Sequence, residues 1–319
     1  MEKEFSLRNY KRRQKIISLS YSAGRLIVLL SIGYIIIYPL IYIISNSVKT
    51  PEAFDDPSFV WVPSGVTLNS YKTAIEVLDF AQALVSTLIL EVVSSLFEVF
   101  SCAIAAYGLA RFKFRGRQLL MFILMLTILV PHQMIIIPLT ANFAKLDVFG
   151  ILGLLNDFTG IDLRVNFLDT PGTFWLPSLL GVGLRSGVLI YIYIQFFKGL
   201  PKELEEAAWI DGANPIQTFF RISVPSSGVV ILTVTVFSVL WHWNDYYLAV
   251  MYTSENYPLA VRLSQLPETL TTLGYWSFDG FASGVVLAGC MLFIFPMLVL
   301  YLIIQKRFIQ SIDNVGITG

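Results

Sequence analysis

Charge is scarce in this sequence. Lys, Arg, Asp and Glu make up 14% of its 319 residues, against about 25% in an ordinary soluble domain. A shortfall of that size argues against a water-soluble globule and for a chain whose surface meets an apolar solvent. The 22 basic and 22 acidic groups also cancel, so no net field draws nucleic acid. Cysteine is almost missing. Cys102 and Cys290 lie far apart, each within an apolar stretch; they make no disulfide framework and are read as small core residues. The two histidines, His132 and His242, have no metal-ligand spacing, and the His-Glu-x-x-His pattern of a zinc hydrolase is lacking. No lysine follows a glycine anywhere, which excludes the phosphate-cradling loop of an ATPase. Internal repeats, heptads and low-complexity tracts are absent, and no shift of composition marks off a soluble domain. These absences describe a chain that is not itself an enzyme and holds no cofactor of its own.

Apolar residues fill the space, 55% of the total. A helix needs about 20 mainly apolar residues to cross the hydrocarbon of a bilayer. Six segments qualify: 26–45, 83–109, 119–139, 178–197, 224–251 and 281–304. The expected fold class is all-α, a polytopic membrane protein with about six transmembrane helices. The first segment follows Lys11, Arg12, Arg13 and Lys15, as the core of a secretory leader would. It runs too long for such a core and ends in Asn46, Ser47 and Lys49 without a small-x-small cleavage site, so it is read as an uncleaved first span.

The basic residues orient the spans, because Lys and Arg in short loops mark the cytoplasmic side. They cluster in the N-terminal tail (Arg8 to Arg25), after the second segment (Arg111, Lys113, Arg115, Arg117), after the fourth (Lys198, Lys202, Arg221) and at the C-terminus (Lys306, Arg307). In a six-span chain these four regions share one face. The remaining loops are acidic and aromatic, with Asp55, Asp56 and Trp61 in the first, Asp147, Asp157, Asp162, Asp169 and Trp175 in the second, and Tyr257, Trp276 and Asp279 in the third. Both termini are therefore expected in the cytoplasm. The expected layout is a basic tail over 1–25, a transmembrane domain over 26–305 and a second cytoplasmic tail over 306–319. A short interfacial helix is expected between 169 and 183.

The cytoplasmic loop 199–225 carries the strongest local pattern. Pro201 suits a first helical position, which needs no amide donor. Glu203, Glu205 and Glu206 then lie where the helix dipole favours negative charge, and Leu204, Ala207 and Ala208 share one face. Gly212 can take the left-handed conformation that stops a helix. Asn214 before Pro215 is a cap followed by a first helical position, so a second helix starts there. A helix–glycine–helix hairpin with a small, alanine-rich face is suited to close approach by another protein.

This stretch resembles the EAA loop of bacterial ABC importer permeases. The string Glu206-Ala207-Ala208-Trp209-Ile210-Asp211-Gly212-Ala213, with Phe219 and Pro225, is similar to that of the sugar-importing, maltose-permease-like branch. Ala106-Tyr107-Gly108-Leu109-Ala110-Arg111-Phe112, Pro131-His132-Gln133 and Trp243-Asn244-Asp245 resemble further elements of the same family, so the likeness extends from about residue 26 to 307. The resemblance implies a type I ABC importer permease fold and a subunit that hydrolyses no ATP itself. It implies a second permease, homologous or identical, two ATPase subunits that bind the ATP and Mg, an extracytoplasmic solute-binding protein and a mono- or oligosaccharide as substrate. It further implies a coupling helix on the ATPase, formed by Glu206, Ala207, Ala208, Asp211, Gly212 and Pro225.

Polar groups inside the spans are functional candidates, since the bilayer makes them costly. Glu91 and Glu98, seven apart, share one helix face and either line the pore or bond between helices. Gln133 and His132 lie beside Pro131, where a kink frees backbone groups, and they either satisfy that kink or line the pore. Arg185 is read as snorkelling to the outer interface. Trp241 to Asp245 form an aromatic-polar cluster. It is either a sugar platform through Trp243, Asn244 and Asp245 or an interfacial belt with packing roles. Loop 252–280 is the candidate contact for a solute-binding protein. An importer permease for a non-sugar solute is the first alternative. An ion-driven secondary transporter is the second, and it would show inverted repeats and broken midplane helices.

Overall fold

The structure is a computed structural model that describes residues 2–54, 65–147, 150–160, 164–275 and 280–316. The expectations for Asp55, Asp56, Trp61, Asp162, Trp276 and Asp279 lie outside the described residues. Among those described, fifteen α-helices occur in this order: α1 Glu2–Ser47, α2 Pro51–Phe54, α3 Asn69–Val77, α4 Phe80–Arg111, α5 Arg117–Leu129, α6 His132–Ala144, α7 Ile151–Thr159, α8 Gly172–Leu179, α9 Ser186–Gly199, α10 Glu203–Ile210, α11 Pro215–Thr218, α12 Gly228–Trp243, α13 Tyr247–Tyr252, α14 Leu259–Thr272 and α15 Gly280–Gly316. A π-turn (Phe219–Ser223) and a 3₁₀ turn (Pro225–Ser227) join α11 to α12. Apart from two isolated β-bridges the described backbone is helix and turn, which makes the chain all-α.

Among the described residues four helices are long and apolar enough to cross a membrane: Arg13–Ser47, Phe80–Arg111, Pro225–Trp243 and Gly280–Lys306. Helices α5 and α6 together pass the same test but bend by 102° at their junction. Pro131 sits at that bend as the cap of α6, where its missing amide ends the α5 ladder. The expected segment 119–139 is thus two helices bent at Pro131, not one straight helix. The segment 178–197 also departs from a single helix. It divides into α8 and α9, because the chain turns at Gly181 (φ 71°) and at Arg185 (φ 57°), a left-handed position unusual for a side chain. Helix α9 has 14 residues, short of the length that crosses a bilayer unaided. The segment 224–251 stops at Trp243 and restarts as α13.

The chain divides into two compact units. The smaller comprises residues 1–74 and 267–292. In it the Ser47 and Tyr71 hydroxyls are 2.8 Å apart, and Lys49 Nζ lies 5.6 Å from the centre of the Phe54 ring. Gly280 is glycine for a reason: a Cβ there would run into Phe54. No residue in the most apolar stretch of α1 is buried, as suits a helix whose surroundings are lipid or another subunit.

The larger unit, residues 75–266 and 293–319, is organised by α4. Its buried face is Ala83, Thr87, Glu91, Ser94, Ser95, Glu98, Cys102, Ala103, Ala106 and Tyr107, a stripe of mostly small and polar residues at helical spacing. Leu88, Ile89, Leu96 and Phe100 point outward. This inverts the soluble pattern, because in lipid small residues let helices approach and large apolar ones face the tails. Around α4 pack α8, α9 and α12, with α5 lying against α9, and Tyr193, Ile194, Phe197 and Val234 are fully buried. Toward the expected outer side Phe143, Phe174, Leu248 and Tyr252 form a second cluster. The helix expected between 169 and 183 is α8, with Phe174 and Ser178 buried.

A clasp holds the loop before α8. Asp169 adopts φ 62°, its amide donates to Tyr252 O at 2.8 Å, and its carboxylate accepts from the Ser254 amide and from Ser254 Oγ. The Ser254 hydrogen bonds, above all, hold the Asp169 carboxyl below its ordinary pKa. A lowered value means that this contribution is present above about pH 4 and is lost as pH falls through the folded value. Asp169→Ala is expected to cost about 1 kcal/mol locally, seen as faster hydrogen exchange over 164–171 and 252–256 with the rest unchanged. Protection unaltered in both segments would disprove the clasp.

Candidate functional site

Two features of the larger unit bear on function: the loop between α9 and α12, and a cavity. In the loop, α10 begins at Glu203 with Lys202 as its cap. Pro201 therefore precedes the helix by two residues instead of opening it, the Glu205 and Glu206 amides bonding back to Lys202 O. The helix ends as expected. Gly212 takes φ 85°, its amide donates to Trp209 O at 3.0 Å, and the Ala213 amide donates to Ala208 O at 2.9 Å. This pair of bonds around a left-handed glycine is a Schellman stop. Helix α11 starts with a reciprocal capping box. Asn214 Oδ1 accepts from the Gln217 amide at 2.8 Å, Gln217 Oε1 accepts from the Asn214 amide at 3.0 Å, and Pro215 follows the cap.

The hairpin is fixed at both ends yet turns apolar groups outward. Ile210 is 86% and Ile216 69% exposed, and Leu204 and Trp209 are exposed too. Among the coupling candidates Glu206, Ala207, Asp211, Gly212 and Pro225 are exposed and Ala208 is half-buried. Glu205 points the other way. It is buried, with Oε1 3.0 Å from Arg111 Nε at the end of α4 and 3.3 Å from Ser223 Oγ, which donates to it. Arg111 Nη2 also donates to Leu200 O at 2.9 Å. The sequence reading missed this pair; the one signal was that Arg111 and Glu205 both lie on the expected cytoplasmic face.

The cavity, of about 1680 Å³, lies among α4–α6, α8, α9, α12 and α13. Gln133, Asn244 and Asp245 line it, together with His132 and Arg185. The Arg185 guanidinium sits 5.1 Å from the centre of the Trp241 ring, a cation–π distance, and its amide donates to His132 Nε2 at 3.4 Å. Asp245 Oδ1 accepts from the Leu248 amide at 3.3 Å, while Oδ2 is buried without a hydrogen-bond partner among the described residues. Asn244 Nδ2 donates to Leu240 O at 2.8 Å, closing the end of α12.

The other three candidates lie elsewhere. Trp243 is buried and packs with Ala83, Leu259 and Phe293. Glu91 is buried, its Oε2 unpaired among the described residues. Glu98 is fully buried and joins three helices. It accepts from Ser186 Oγ of α9 at 2.6 Å and from Ser238 Oγ of α12 at 2.6 Å, and His242 Nε2 lies 3.2 Å from its Oε2. Its partners Ser186 and His242 line the cavity, so Glu98 stands directly behind the cavity wall.

Residues 99–314 match the family described as binding-protein-dependent transport system inner membrane component. This chain belongs to that family. The permease is 28% identical over 279 residues to the probable starch degradation products transport system permease protein AmyC of Thermoanaerobacterium thermosulfurigenes, covering 86% of this chain and 89% of AmyC. It is 30% identical over 288 residues to the protein LplC of Bacillus subtilis, 88% of each chain. It is 27% identical over 290 residues to the trehalose transport system permease protein SugB of Mycobacterium tuberculosis, 91% of this chain and 95% of SugB. Among solved structures, a bacterial ABC transporter involved in the import of the acidic polysaccharide alginate has a chain that superposes with a TM-score of 0.64 at 22% identity, over 90% of this permease and 96% of that chain. The fold is therefore that of an ABC importer permease, and the protein is a multi-pass component of the inner membrane.

Proposed function

We propose that this permease imports a mono- or oligosaccharide, driven by ATP that a separate subunit hydrolyses. Its partners are a second permease, homologous or identical, two ATPase subunits holding ATP and Mg, and an extracytoplasmic solute-binding protein. The transport systems named for AmyC and SugB handle starch degradation products and trehalose, which supports a saccharide substrate. One observation carries the coupling role. The α10–α11 hairpin is locked by its glycine stop and capping box while it turns Glu206, Ala207, Trp209 and Ile210 outward. A preorganised hairpin with an exposed apolar and acidic face is what a groove on a partner protein can grip, because little ordering remains to be done on binding.

In this reading Glu206 meets a basic or hydroxyl group of the ATPase, Ala207 and Ala208 allow close approach, and Asp211, Gly212 and Pro225 set the path of the loop. Both termini lie in the cytoplasm with the tails 1–25 and 306–319. Gln133, Asn244 and Asp245 offer the solute amide and carboxylate groups along its path, Glu98 backs the cavity wall through Ser186 and His242, and Glu91 and Trp243 are buried outside the lining. The test is purification of the tagged permease expressed with its neighbouring genes, with mass spectrometry of co-eluting proteins. An ATPase is expected with the wild type and far less of it with Glu206→Ala. Absence of any ATPase from a stable wild-type preparation would overturn the importer reading.

A further inference from the structure

The hairpin is covalently continuous with α9 on one side and α12 on the other, so movement of the loop reaches those helices through the backbone. Helix α4 has no such connection. It meets the loop through Arg111, whose Nε lies 3.0 Å from Glu205 Oε1 and whose Nη2 holds Leu200 O at 2.9 Å. Beside this pair Tyr107 packs on Phe197 and Phe219, with ring centres 5.5 and 5.0 Å apart. The side chains of Arg111 and Glu205 are only 6% and 5% exposed. Little solvent competes for the pair at that burial, and both partners are held by further bonds.

We propose that the Arg111–Glu205 pair is the strut that makes α4 follow the coupling loop; this rests on the docking role proposed for that loop. Adjacent glutamates divide the work. Glu206 faces outward toward the ATPase, and Glu205 faces inward and carries the displacement to α4. About 20 Å further along α4, Glu98 is bonded to Ser186 and Ser238, so the displacement arrives at the wall of the cavity. Arg111 and Glu205 are positioning residues: neither lines the cavity, and both act through α4. Arg111 Nε makes no hydrogen bond among the described residues, so its hold on Glu205 is an ion pair at 3.0 Å while Nη2 anchors the guanidinium on Leu200 O; lysine's single ammonium does not supply both nitrogens.

The test uses the assembled transporter with its ATPase and measures hydrogen exchange in the absence of nucleotide and after trapping with MgATP and vanadate. In wild type, peptides over 104–112 of α4 and over the flanks of the loop are expected to change exchange together on trapping. In Glu205→Gln, and in the double variant Arg111→Met with Glu205→Leu, the loop flanks are expected to respond while the α4 response is lost. The double variant leaves no unpaired buried charge, a replacement that proteins commonly tolerate, and it decides the matter where the single variant fails to assemble. Retention of the α4 response in the double variant would overturn the strut, since packing alone would then suffice. Failure of both variants to assemble would also overturn it, since the pair would then serve folding only. If wild type retains no ATPase, it is the docking role of the loop that fails.

Discussion

Glu98→Leu is expected to be among the most damaging single substitutions in the spans, and Glu91→Leu among the mildest at a buried carboxylate. The two residues share a face of α4 and are both buried, so depth and helix position do not separate them. Their partners do. Glu98 accepts two serine hydroxyls at 2.6 Å and has His242 at 3.2 Å. Removing it leaves groups on α9 and α12 buried without a partner, at about 1–3 kcal/mol each, on the order of 4 kcal/mol together. Glu91 Oε2 has no hydrogen-bond partner among the described residues, so replacing it with an apolar side chain abandons no donor and removes a polar group from an apolar site. Thermal loss of monodisperse protein in detergent, at one fixed heating rate, is the readout. Glu98→Leu is expected to shift it down by about 10 °C and Glu98→Gln by less than half as much, because the amide oxygen still accepts one hydroxyl. Equal losses for Glu91→Leu and Glu98→Leu would show that burial alone governs, and that the hydrogen bonds do not.

Local chemistry was legible in the sequence and long-range pairing was not. Gly212, Asn214 and Pro215 announce a stop, a cap and a first helical position, and each lies where that chemistry placed it, since those preferences act within one turn of the chain. The apolar segments were legible for the same reason. The interruption at Gly181–Arg185 was not, because Arg185 in a left-handed conformation breaks the rule that gives such positions to glycine. The partners of Glu98 lie 88 and 140 residues away, a separation no helical period encodes. The Trp243-Asn244-Asp245 triplet reads as one cluster, yet α12 ends within it. Trp243 is thereby turned into the core beside Leu259, while Asn244 and Asp245 face the cavity. Glu205 and Glu206 are the sharpest case. Consecutive helical residues are about 100° apart around the axis, and only the arrival of Arg111 from α4 decides which one turns inward.

Gly212→Pro is expected to abolish productive coupling while the transmembrane helices stay folded. Gly212 adopts φ 85°, whereas proline is held near −65°. The substitution also removes the amide that donates to Trp209 O and crowds Asp211 before it, whose backbone at φ −74°, ψ 2° lies outside the extended region a residue before proline prefers. The chain would leave α10 in a different direction and α11 would lose its place relative to Glu206, though its own capping box survives. Gly212→Ala separates conformation from bulk. A Cβ at this position meets nothing within 4 Å, so its cost is that of the left-handed backbone alone, about 1 kcal/mol, against about 3 kcal/mol or more for proline. The loop is part of a surface that must present one shape, so these costs fall on binding: about 1 kcal/mol is roughly a fivefold loss of affinity, and 3 kcal/mol more than a hundredfold. Co-elution of the ATPase is therefore expected to weaken with Gly212→Ala and to vanish with Gly212→Pro, while both variants keep the detergent melting of the isolated permease within about 3 °C of wild type. If Gly212→Pro co-elutes as much ATPase as wild type, the hairpin is not the docking element. If its melting collapses along with its binding, the loop belongs to the folding core, and the exposed positions of Glu206 and Ile210 would need another explanation.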